Sequence, residues 1–127
     1  MTAEDRHSEW FFQSDYDLEA AEYMLNSGRT VYCIFMCHLS LEKALKGLYL
    51  KRLNKIPPKL HDLLYLINRM SLETLEEHLE FMTNINQLSI ATRYPLDLRE
   101  MINKYSVEQT ASILQQTKIV QQWIKQQ

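Results

Sequence analysis

Thr30–Leu53 reads TVYCIFMCHLSLEKALKGLYLKRL, a run with no proline and a single glycine. Ile34, Cys37 or His38, Leu41, Leu45 and Leu48 recur at three- and four-residue steps, which is the period of an α-helix with one apolar face. On that wheel Glu42, Lys43 and Lys46 lie off the stripe. Its first half is apolar nearly all round, so this helix is expected to be covered on more than one side. Pro57 and Pro58 cannot continue it, and Gly28 precedes it.

Outward from this segment the same period continues. Phe11, Ser14, Leu18, Ala21 and Leu25 predict a helix from about Ala3 to Asn26, stopped by Gly28. HDLLYLINRM, from His61 to Met70, predicts a short helix with Leu63, Leu64, Ile67 and Met70 inward. Ser71 then caps a fourth helix whose stripe is Leu72, Leu75, Leu79, Met82, Ile85 or Asn86, and Leu88. Glu73, Glu76, Glu77 and Glu80 occupy its early solvent turns, where they suit the positive end of the helix dipole. Pro95 ends it, because the residue before a proline is pushed out of the helical region. A last helix starts at Ser106, whose Ser-Val-Glu-Gln pattern is a capping box. It carries Val107, Ala111, Ile113, Leu114, Val120, Trp123 and Ile124, with its glutamines on the polar side. Residues 1–127 are expected to form one all-α domain, an antiparallel up-and-down four-helix bundle with one additional short helix.

Composition agrees. The chain is 46% hydrophobic and 24% charged with only two glycines and three prolines, too little punctuation for many short strands. A formal net charge of −2 provides no global basic field, so any nucleic-acid contact has to come from a local cluster. No stretch reads as a membrane span. MTAEDRHSEW is charged and lacks the apolar core of a signal peptide. Cys33 and Cys37 fall one helical turn apart, a poor geometry for a disulfide. Without a second cysteine pair for zinc they read as core residues. The expected setting is cytoplasmic, with no metal and no cofactor. The scarcity of glycine also leaves no phosphate-binding loop or nucleophile elbow, and the acidic run of the fourth helix reads as a solvated face.

The remaining candidates are Lys43 and Lys46, which share a helix face, His61 and Asp62 at the opening of the short helix, and Arg93-Tyr94-Pro95. Arg93 could be a cation at a helix end, worth about 0.3–1 kcal/mol, or a planar fork for phosphate or carboxylate. Tyr94 could cover a core edge or offer a stacking platform. A helix stop needs only Pro95.

These residues sit in three blocks, HLSLEKALKGLYL (His38–Leu50), PPKLHDL (Pro57–Leu63) and ATRYP (Ala91–Pro95). In order and spacing the blocks resemble the HEPN family, the higher eukaryotes and prokaryotes nucleotide-binding domain, and the likeness runs from about Trp10 to Trp123. The resemblance implies a HEPN-like bundle, commonly a homodimer. It also implies a nucleotide ligand or a small nucleotidyltransferase partner in a toxin–antitoxin-type pair, with Arg93, Tyr94, Pro95, His61, Asp62, Lys43 and Lys46 at the binding surface. Part of the family consists of metal-independent ribonucleases marked by an arginine, four to six residues and a histidine. Here Arg29 and His38, Arg52 and His61, and Arg69 and His78 are each nine positions apart, and no histidine follows Arg93. The noncatalytic branch is therefore the expectation. The alternatives are a divergent ribonuclease, with His61 or His38 as general base and Arg93 on the phosphate, and a dimerising adaptor without a ligand.

Overall fold

The computed structural model describes residues 3–127, with side-chain surroundings from residue 6 onward. Six helices and no strand occur among the described residues: α1 Ala3–Asn26, α2 Thr30–Leu53, α3 Leu63–Met70, α4 Glu76–Arg93, α5 Leu98–Lys104 and α6 Val107–Lys125. None is long and apolar enough to cross a membrane.

The four long helices run up and down. Lys118 pairs with Glu22 and Lys125 with Asp15, so rising numbers on α6 meet falling numbers on α1. His38 meets Asn86 and Phe35 meets Arg93, which sets α4 antiparallel to α2 in the same way. The α1–α2 turn is closed by Gly28 at φ 78°, a left-handed conformation that glycine adopts without cost. There the Gly28 and Arg29 amides return to the Leu25 and Met24 carbonyls at 2.9 and 2.8 Å.

α2 is the central helix. Every other helix packs against it, which explains why it is apolar nearly all round. Val31, Ile34, Cys37, His38, Leu41, Leu45 and Leu48 are all buried. The off-stripe placement expected for Glu42 and Lys46 is corrected: they are only 3% and 6% exposed. Close approach of α1 is built from small groups. The Ser14 and Ser40 hydroxyls each donate to the other's carbonyl, at 2.6 and 2.8 Å. At Gly47 an added Cβ would lie 2.7 Å from the Phe11 ring. Cys33 and Cys37 are free buried thiols. The hydrogen bond between them, and then burial, hold the Cys37 thiol far above its ordinary range.

Three further expectations are corrected. Ser71 does not cap a fourth helix; it closes α3 in the left-handed region, at φ 49°. α4 starts only at Glu76, which leaves Leu75 and Leu79 exposed, while His78, Phe81, Met82, Ile85, Ser89 and Thr92 face inward. The Pro95–Ser106 connection, expected to be a loop, contains α5. Asp97 caps it by accepting from the Glu100 amide at 3.1 Å, and none of its residues is buried. On α6 the Ser106–Gln109 capping box forms as read. The buried face, however, includes Thr110, Thr117 and Gln121, with Val107 and Ala111 outside. Gln121 is held there by Ser14 and Asp15.

Candidate functional site

The middle of α2, the entry to α3 and the end of α4 meet on one side of the bundle, around the carboxylate of Glu42. Lys46, one turn along α2, donates to Glu42 Oε2 at 3.1 Å. His61, in the segment after the prolines, places Nδ1 2.8 Å from Oε1. A carboxylate can only accept, so His61 donates from Nδ1 and turns Nε2 outward. Its side chain is 59% exposed. Arg93 brings Nη2 to 3.9 Å from the same Oε1, an ion pair too long for a hydrogen bond.

Arg93 is held by stacking. Its guanidinium lies over the Phe35 ring, 4.6 Å from the centroid. Nε and Nη2 are buried and have no hydrogen-bond partner among the described residues. Buried donors of this kind are uncommon in folded proteins, because leaving one unpaired is costly. Lys46 is likewise 5.8 Å from the Trp10 ring centroid.

Beneath this group runs a polar relay. The Leu63 amide donates to Asn86 Oδ1 at 3.1 Å, and Asn86 Nδ2 donates to Asp62 Oδ1 at 3.0 Å, which fixes the amide's orientation. His38 Nε2, 3.1 Å from the same Oδ1, must therefore be the protonated nitrogen. Burial, against the pull of this bond, lowers the His38 pKa, so the ring is held neutral. Asp62 caps α3 by accepting from the Leu64 and Tyr65 amides at 3.0 and 3.3 Å, which spends its charge on the helix end.

The surface over these groups is hollowed on both sides of Arg93-Tyr94. One hollow, of about 270 Å³, lies against His61, Asp62, Asn86, Ser89 and Ile90. The other, of about 310 Å³, lies against Tyr32, Phe35 and Thr92. Arg93 and Tyr94 wall both, and Tyr94 is 77% exposed.

Of the sequence-predicted residues, the structure gathers His61, Asp62, Lys46, Arg93 and Tyr94. Pro95 lies just beyond, in the wall of a third hollow with Tyr94 and α5. Lys43 is not gathered: it pairs with Asp17 of α1 at 2.9 Å. Lys46 belongs to the cluster as the buried partner of Glu42. Sequence reasoning missed Glu42 itself. Its only signal was the Glu42–Lys46 four-residue spacing, which most helices use on their wet faces. Of the two histidines considered as a base, His38 is 0% exposed and committed to Asn86; only His61 reaches the surface.

Compared with known families, residues 7–127 match the model of the HEPN domain. Two solved structures are similar to the chain. One is TT1696 from Thermus thermophilus, 22% identical, with a TM-score of 0.81 over 95% of this chain and 97% of the other. The second is ST0689, described as an archaeal HEPN homologue, also 22% identical, with a TM-score of 0.74 over 94% and 95%. At that identity the likeness speaks for the fold alone. No curated protein matches.

Proposed function

The chain belongs to the HEPN domain family, and we propose that within it the protein acts as a noncatalytic member that binds a nucleotide, docks a small nucleotidyltransferase in a toxin–antitoxin-type pair, or does both. The observation that carries this reading is Arg93. It is stacked on Phe35, makes no side-chain hydrogen bond among the described residues, and stands in the wall of a hollow beside His61. An arginine spent only on the helix dipole would need neither a ring beneath it nor a hollow in front. A guanidinium that is still 19% exposed and commits no hydrogen bond suits a phosphate or carboxylate reached from its uncovered side, Nε and Nη2 being enclosed.

Titration calorimetry with ATP and with inorganic tripolyphosphate tests the reading. Binding heat from both is expected. No heat from either, together with no complex with a nucleotidyltransferase encoded beside it, would remove it.

A second reading is favoured by the His61–Glu42 pair. A surface histidine oriented by a buried carboxylate, with its other nitrogen outward and an arginine alongside, is the geometry of a general base next to a phosphate clamp. Labelled RNA incubated with pure protein separates the two readings: intact RNA is expected, and cleavage lost in His61→Ala would establish a ribonuclease.

The family reading also makes the protein a homodimer. In the first half of α2, apolar nearly all round, Val31 and Ile34 are buried in the bundle, while Tyr32 stays 51% exposed and Phe35 and Met36 only partly covered. The better support is the uncovered edge of Ile90, Leu96, Leu98 and Ile102. Light scattering at micromolar concentration should give twice the 15.2 kDa chain mass; the mass of a single chain would refute it.

A further inference from the structure

We propose that the hollow between Tyr32 and Tyr94 receives the base of the nucleotide whose phosphates lie on the His61 side of Arg93, an inference that rests on the nucleotide-binding reading above. Two observations point there. The first is that Arg93 and Tyr94 line both hollows, while the other side chains differ in kind: His61, Asp62, Asn86, Ser89 and Ile90 bring an imidazole, a carboxylate and an amide to one, and Tyr32, Phe35 and Thr92 bring two rings to the other. A nucleotide has the same division, an anionic end and a flat aromatic end, joined by a sugar long enough to pass a single side chain.

The second observation is how the rings are used. Phe35 is half-covered and already carries the guanidinium on its face. Tyr32, in the first turn of α2, and Tyr94, closing α4, are 51% and 77% exposed. Two exposed phenols lining one hollow, beside an arginine, offer the π-faces and the cation on which bases stack. The opposite placement is less favourable. On the His61 side Asp62 and Asn86 are engaged with each other and with the α3 terminus, and no second phenol faces Tyr94 there to close on a base.

The test compares ATP with inorganic tripolyphosphate, which carries similar charge and no base, on the wild-type chain and on Tyr32→Ala. Tyr32 is exposed, so the variant should fold, and an unchanged melting curve checks this. In the wild type ATP is expected to bind about tenfold more tightly than tripolyphosphate, from the stacking of one base. Tyr32→Ala should remove that advantage and leave tripolyphosphate unaffected, while Tyr32→Phe should keep it. Equal affinities in the wild type, or an ATP advantage that survives Tyr32→Ala, would overturn the base subsite while leaving the phosphate site standing. If neither compound binds, the nucleotide reading itself falls and the subsite falls with it.

Discussion

Glu42→Ala is expected to cost about 3–5 kcal/mol of folding stability, the usual result of removing one member of a buried ion pair. The loss should fall on Lys46 more than on His61. His61 is exposed and can return to water, whereas Lys46 is 6% exposed and has Glu42 as its hydrogen-bonded partner. An ammonium stranded at that depth must drag solvent in or displace the α1–α2 contact around Trp10. The double variant Glu42→Leu with Lys46→Met removes both charges and keeps similar volume, so it should regain most of the loss. Urea unfolding of Glu42→Leu, Lys46→Met and the double variant closes the cycle. If the double variant is as unstable as the sum of the singles, the two groups are not coupled and the account of the cluster is wrong.

Arg93→Lys should leave the chain folded and weaken nucleotide or partner binding by roughly ten- to hundredfold, the equivalent of a lost charge-assisted contact of about 1.5–3 kcal/mol. Lysine keeps a positive charge near Glu42 and at the end of α4, so the dipole and the long ion pair survive in part. What it cannot reproduce is a plane that lies on Phe35 while offering parallel donors. Melting temperature and affinity should be measured on the same samples. A variant unaltered in both would reduce Arg93 to a helix stop; a large fall in melting temperature would instead give it a structural role through Phe35.

Most of the helical frame is legible because its signals are local. α1 is bounded by a three-four stripe and a glycine, α2 by a long unbroken period and two prolines, and α6 by a capping box. Each needs only residues within a turn or two of one another. Where two readings compete over the same few residues, the sequence is weaker. Ser71 is a good cap and reads as opening a helix; in the structure its backbone closes α3 and Leu72–Leu75 runs non-helical to Glu76. α5 has seven residues, too few for a period to show against its neighbours.

The sequence by itself determined the all-helical bundle, the membership of His61 and Arg93 in one set of blocks, and the absence of the arginine–histidine spacing of the family's ribonucleases. Only the tertiary structure decided what those residues do to one another. A periodicity reading gives each helix one buried face, and by that rule Glu42, Lys43 and Lys46 share an outward side. α2 has neighbours nearly all round, so Glu42 and Lys46 are enclosed and Lys43 turns to Asp17. The enclosed carboxylate becomes the common partner of nitrogen donors from three separate stretches, Lys46, His61 and Arg93. The physical reason is desolvation: a charge that water could have satisfied must, once buried, be met by other charges, and which ones come within reach depends on helix packing.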